Sequence, residues 1–228
     1  MILGLQSTTN LVIALSGASH SGKTTFMTDA QTLLGKDNVI CISENIREVD
    51  IVKSIGIEKI RENPALYFTL QKEIITKKIN QEIEASLTSK DKIILIDRSL
   101  ADSIYYLTKY TEISKFPPEL KKEYFTFLSQ LQDRAQATFA TIYNAILIFP
   151  PIKKDEEQND AFRQDLEYFN ESQEAEFGQI VLLNEGIASV TECSKKIIPV
   201  DTMFQSKDGK REMTEKQWKT VCYQLAKQ

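Results

Sequence analysis

One stretch governs what this chain can fold into: Leu11–Thr25, LVIALSGASHSGKTT. An apolar run from Leu11 to Leu15 leads into Gly17-Ala18-Ser19-His20-Ser21-Gly22-Lys23-Thr24, which satisfies the spacing G-x-x-x-x-G-K-[ST]. Leu11, Val12, Ile13 and Leu15 read as a buried strand of a parallel sheet. Gly17 and Gly22 permit conformations and close approaches that a Cβ resists. A helix opening straight after the loop turns its free N–H groups and positive end toward an anion. Lys23 adds a mobile charge for the β- and γ-phosphates of ATP, and the Thr24 hydroxyl is a ligand for Mg²⁺. Gly17 to Thr24 together with Thr25 form the expected ATP-binding set.

Four further apolar runs or helix signals repeat the pattern. Phe26, Met27, Ala30, Leu33 and Leu34 give the first helix a buried side, and Gly35 ends it. Val39–Ile42 predicts a second strand, ending at Glu44, and a short helical segment lies around 51–60. Asn63-Pro64 starts a long helix with a seam of Phe68, Ile75, Ile79, Ile83 and Leu87 and with Lys and Glu opposite. Ile93–Ile96 predicts a third strand, closed by Asp97-Arg98-Ser99, and a helix over 100–110 follows. After Phe116-Pro117-Pro118, residues 119–140 are helical in pattern, and Ala145–Phe149 predicts the fourth strand. Residues 166–184 read as helix and Ala188–Val190 as a short strand, with 191–198 a short helix or strand. Ser206–Lys210 reads as a loop, and Thr214 to Gln217 is a capping box for a last helix to about 227. Strands alternating with helices predict an α/β fold, a P-loop NTPase three-layer sandwich with helices on both faces of a parallel sheet. The 228 residues suit a single domain over 1–228, with a lid at about 151–165.

Charge and cysteine usage narrow the partners. A net charge of −4 argues against a large nucleic-acid-binding surface. Cys41, Cys193 and Cys222 form no C-x-x-C pair, so free thiols in a reducing cytoplasm are expected. The N-terminal run lacks the basic region of a signal peptide, and no apolar stretch approaches roughly 18 residues, so no membrane span is expected. A homodimer stays open.

Ligands of such sheets sit at the carboxyl ends of the strands, which makes Gly17–Thr24, Glu44, Asp97 and Arg98 neighbours. Asp97 stands where P-loop enzymes hold Mg²⁺. Arg98 offers a planar fork for phosphate, or a structural salt bridge. Glu44 can take the proton of an attacking hydroxyl, hold a substrate hydroxyl, or pair with Arg47. Gln71 and Asp102 lie on the helices that bracket the acceptor side, where either can bind substrate or simply face solvent. Arg163, in the charged stretch after the fourth strand, can close over the γ-phosphate as part of the lid or pair with Asp160 and Asp165.

These residues come in an order that resembles small P-loop kinases, in particular the AAA-type ATPase/kinase group that includes the nicotinamide riboside kinase domain. Deoxynucleoside kinases share part of the pattern. The resemblance rests on GASHSGKT, Glu44-x-x-Arg47, Gln71, Asp97-Arg98-Ser99 with Asp102 and Tyr105, and the DAFR run ending at Arg163, and covers about residues 11–190. It implies Glu44 as the base, Asp97 and Arg98 as metal and phosphate ligands, and Arg163 as a lid arginine on the donor phosphates. The sequence after Glu44 lacks the Pro-x-x-x-Trp usual in deoxynucleoside kinases. The expected function is ATP- and Mg²⁺-dependent phosphoryl transfer to a small-molecule acceptor, a nucleoside or nucleotide. Lys23, Glu44, Arg98 and Arg163 carry catalysis in this reading. Thr24 and Asp97 hold metal, and Glu44, Arg47, Gln71 and Asp102 hold substrate. The alternatives are a partner-coupled ATPase or switch, and a polynucleotide 5′-kinase, which needs a basic channel. No N-K-x-D guanine motif is present.

Overall fold

The structure is a computed structural model that describes residues 10–19, 21–44, 49–151 and 166–200. The expected polar lead-in before residue 10, most of the expected lid, the 206–210 loop and the helix over 214–227 lie outside the described residues.

Strands β1 (Leu11–Gly17), β2 (Val39–Ile42), β3 (Ile93–Asp97), β4 (Ala145–Phe149) and β5 (Ile197–Pro199) form one sheet in the order β2-β3-β1-β4-β5. Every neighbouring pair is parallel. The phosphate-loop strand is therefore central. Its register aligns Leu15 with Asp97 on one side and Gly17 with Phe149 on the other.

Alternate strand residues feed two cores, as a pleat dictates. Ile13, Leu15, Leu95, Leu147 and Phe149 pack with Phe26, Met27 and Ala30 of α1 (Lys23–Leu34). Val12, Ala14, Ile94, Ile96, Ile146 and Ile148 face the other way. They meet Ala85 of α4 (Pro64–Thr88), Phe139 of α6 (Pro118–Thr141) and Ala188 of α7 (Leu166–Val190). Burying a side chain such as Phe139 or Phe149, both 0% exposed, stabilises by about 2 kcal/mol. This is the expected three-layer α/β arrangement. Two short helices, α2 (Asp50–Ile55) and α3 (Ile57–Arg61), precede α4, and α5 (Leu100–Lys109) follows β3. No helix among the described residues is long and apolar enough to cross a membrane.

Two expectations need correction. Ala188–Val190 is not a strand but the last turn of α7, because Ala188 completes the face that α7 buries against the sheet. The fifth strand comes later, in the segment the pattern left open. The seam of α4 also turns. Asn63 caps the helix as expected, accepting from the Leu66 N–H at 3.2 Å, and Phe68 and Ile75 are buried. Leu87, however, is 79% exposed. The buried face continues through Lys78, Glu82 and Ala85, three and four residues apart.

Glu82 is 2% exposed. Its Oε2 accepts from Tyr143 at 3.4 Å, and Oε1 has no hydrogen-bond partner among the described residues. Burial pushes its carboxyl up to about 7, against the opposing pull of Lys78 and of the Tyr143 hydroxyl. An unfolded glutamate releases its proton near 4.5. Between those values the folded chain holds the extra proton, so this group's contribution falls as pH rises from 4.5 to 7 and is level above. Glu82→Gln removes that loss. Its melting temperature relative to wild type is expected to be higher at pH 8 than at pH 5; an equal offset at both would count against the shift.

Candidate active site

The loop between β1 and α1 is shaped by its two glycines. Gly17 has φ +136°, and a Cβ there would lie 2.2 Å from the Phe149 carbonyl oxygen. Gly22 caps α1 in the left-handed region at φ 88°. No side chain caps this helix start, so its first N–H groups face the site, as a phosphate cradle requires. Lys23 is only 6% exposed. Its Nζ curls back onto the carbonyls of Gly17 at 2.9 Å and Ala18 at 2.7 Å and onto the Ser21 hydroxyl at 3.1 Å. Burial first, and then the charge of Arg98, lowers its ammonium to about 8, with Asp97, Asp102 and Glu176 pulling the other way. Thr24 and Thr25 are exposed on the first turn of α1.

Asp97 ends β3 beside the loop. Its Oδ1 is buried without a hydrogen-bond partner among the described residues. An orphaned carboxylate oxygen at the end of β3 and an exposed threonine hydroxyl at the start of α1 are the donors a hard, oxygen-seeking cation takes, so Thr24 and Asp97 fit Mg²⁺ in chemistry. Arg98 follows at φ 69°, a left-handed conformation that is strained for a non-glycine residue. Its N–H donates to the Leu15 carbonyl at 2.8 Å. Its Nε lies 3.1 Å from Oε2 of Glu44, and its guanidinium stacks 3.8 Å from the Tyr106 ring centre. Burial works against the arginine's charge, yet Glu44, Tyr106, Asp97 and Asp102 outweigh it and hold the guanidinium more firmly protonated than usual. Glu44 and Arg98 thus meet at the ends of β2 and β3.

Asp102 is placed differently from the acceptor-side position expected of it. It is 0% exposed and lies beneath the phosphate loop. Oδ1 accepts the Gly17 N–H at 3.0 Å. Oδ2 accepts the Ser16 hydroxyl at 2.5 Å, the Ser99 N–H at 3.0 Å and the Ser99 hydroxyl at 2.6 Å. The cause is local: Ser99 and Asp102 form the capping box of α5, which turns the carboxylate back to the helix start. Gln71 is buried at 4% within α4. His20, Arg47 and Arg163 lie outside the described residues.

Three residues escaped the sequence reading. Glu176 of α7 accepts the Ser19 N–H at 2.9 Å, the Tyr106 hydroxyl, and Lys109 Nζ at 2.6 Å. Asn184, about two turns further along the same face of the helix, donates to Ser16 Oγ at 2.9 Å and accepts from Ser99 Oγ at 2.9 Å. Tyr106 also contacts Ser19 Oγ at 3.2 Å, and burial holds its phenol above the ordinary range. A signal was present: Glu176, Ile180, Asn184 and Ala188 recur every four residues, all buried at 4% or less.

A glycine-bounded loop on a central parallel strand, with its lysine, threonine and strand-end aspartate, defines a P-loop NTPase fold. The AAA domain family (AAA_28) matches residues 12–181, and the chain belongs to that family. No curated protein matches it. Among solved structures, NadR protein in complex with NR aligns at 19% identity and TM-score 0.50, covering 94% of this chain and 50% of that one. NadR protein in complex with NAD and AMP-PNP aligns at 15% identity and TM-score 0.51, covering 96% and 50%. A thymidylate kinase from Ehrlichia chaffeensis aligns at 14% identity and TM-score 0.43, covering 95% and 99%. The chain spans about half the length of the NadR chains it matches, and the likeness to them is one of fold.

Proposed function

We propose that the protein is a small-molecule kinase that moves the γ-phosphoryl group of ATP to a hydroxyl of a nucleoside- or nucleotide-like acceptor. The observation that carries this reading is the Glu44–Arg98 pair, 3.1 Å apart, at the same sheet end as Lys23 and Asp97. A transferase needs an acid there to face the acceptor hydroxyl. The NadR structures, of matching fold, hold NR in one case and NAD with AMP-PNP in the other, which supports a nucleoside-like acceptor beside an ATP analogue.

The loop amides and Lys23 hold the triphosphate. Thr24 and Asp97 would hold Mg²⁺, which when bound neutralises charge on the β- and γ-phosphates. Glu44 accepts the proton of the acceptor hydroxyl. The acceptor oxygen bonds to the γ-phosphorus while the bond to the bridging oxygen breaks, and ADP leaves with that electron pair. Arg98 offsets the negative charge beside this centre. Gln71 and Arg47 orient the acceptor in this proposal, and Arg163 contacts the donor phosphates.

The test is ATP consumption, with magnesium, against a panel of nucleosides, nucleotides and nicotinamide riboside. One phosphorylated acceptor per ATP consumed is expected. Hydrolysis at the same rate without acceptor would replace the kinase by an ATPase. Glu44→Gln, which keeps the shape and removes the base, is expected to lower turnover by about 10²-fold with little change in ATP affinity. Unchanged turnover would reduce Glu44 to a strut for Arg98.

A further inference from the structure

Lys78 belongs, by the sequence pattern, to the solvent side of α4. It is instead 2% exposed. Its Nζ donates to the Arg98 carbonyl, to the Ser99 carbonyl at 3.4 Å and to the Ser103 hydroxyl at 3.4 Å. Glu82, one helical turn on, lies 4.0 Å from the same nitrogen. Two of the three acceptors belong to the turn that carries Arg98 from β3 into α5, and the third, Ser103, lies in the first turns of that helix.

That turn is where the site is strained. A non-glycine residue at φ 69° relaxes unless its surroundings hold it. The Arg98 N–H is fixed by the Leu15 carbonyl, and its carbonyl is fixed by the buried ammonium. With the residue pinned on both sides, the direction of its Cα–Cβ bond is set, and the side chain runs across the Tyr106 ring to Glu44.

We propose that Lys78 is a positioning residue, whose buried ammonium holds the Arg98 peptide in its left-handed turn and so aims the guanidinium at Glu44. Its consequence for turnover rests on the kinase reading; its structural content does not.

The test has two arms on the full-length protein. In the first, the Arg98 Nε–H resonance is observed by ¹⁵N NMR and assigned with Arg98→Lys. Wild type is expected to show it in slow exchange, because the ion pair with Glu44 holds it at 3.1 Å. Lys78→Met keeps the length of the side chain and removes its donors. The Arg98 signal is then expected to broaden or exchange at least tenfold faster, while the backbone amide spectrum stays folded. Lys78→Met/Glu82→Leu, which leaves no buried acid alone, should show the same loss. A wild-type Arg98 signal in either folded variant overturns the proposal. So does global unfolding of both, which would make Lys78 a general core strut. In the second arm, Lys78→Met is expected to lower turnover by about tenfold with the dissociation constant of magnesium AMP-PNP unchanged. Absence of turnover in wild type would sink the kinase reading alone, since the first arm still decides the role of Lys78.

Discussion

Lys23→Ala is expected to weaken ATP binding by at least about 100-fold, on the order of 3 kcal/mol, and to abolish measurable turnover. The structure explains why the loss should be specific to the ligand. The Lys23 ammonium sits on the Gly17 and Ala18 carbonyls, almost wholly buried. Burial lowers its pKa to about 8, which means that the surrounding fold disfavours the charge it carries. A triphosphate supplies the counter-charge that those carbonyls only approximate. Removing the side chain therefore takes away the ligand's partner without taking away a support of the fold. The variant's melting temperature at pH 7 in the absence of nucleotide is expected to equal or exceed that of wild type. Titration calorimetry with magnesium AMP-PNP, beside a thermal melt, reads both. Wild-type affinity would remove the loop as the nucleotide site, and a large drop in melting temperature would make Lys23 structural.

Asp102→Ala should act in the opposite way. Four donors converge on that buried carboxylate: the Ser16 hydroxyl, the Gly17 N–H, and both the N–H and hydroxyl of Ser99. Alanine leaves them in a space with little access to water. Each stranded donor costs about 1–3 kcal/mol, though the effects do not add fully and Asn184 can recapture the serines. A loss of about 4 kcal/mol is expected, lowering the melting temperature by roughly 10 °C. Nucleotide affinity should fall as well, because Gly17 N–H anchors the first turn of the loop. Asp102→Asn, which keeps the volume but turns an amide N–H toward some of those donors, should fall between alanine and wild type. A melting temperature within about 1 °C of wild type for the alanine variant would contradict this account.

The central sheet was legible because β1 to β4 are continuous apolar runs buried on both sides, a pattern with few other readings. Ile197–Pro199 is too short, and too exposed at Pro199, to stand out by the same signal. The phosphate loop was legible because its chemistry constrains residue type at fixed spacing. The layer behind it was not. Amphipathic patterning assigns a charged residue to solvent unless a partner is known, and the partners of Lys78 and Glu82 are a carbonyl in the turn after β3 and a tyrosine beyond α6. Asp102 misled for a related reason. Its place on α5 was read from spacing, while its direction is set by the Ser99 cap and by Ser16, 86 residues earlier.

The contacts from α7 to the phosphate loop have a consequence in time. Ser19 meets Glu176 across 157 residues, and Ser16 meets Asn184 across 168. Such distant closures come late, because the intervening chain must first be ordered. During synthesis, a nascent polypeptide that already carries the whole glycine-rich motif would still lack the brace that finishes it. Competence to grip a nucleotide then arrives only when the seventh helix has emerged from the ribosome and docked.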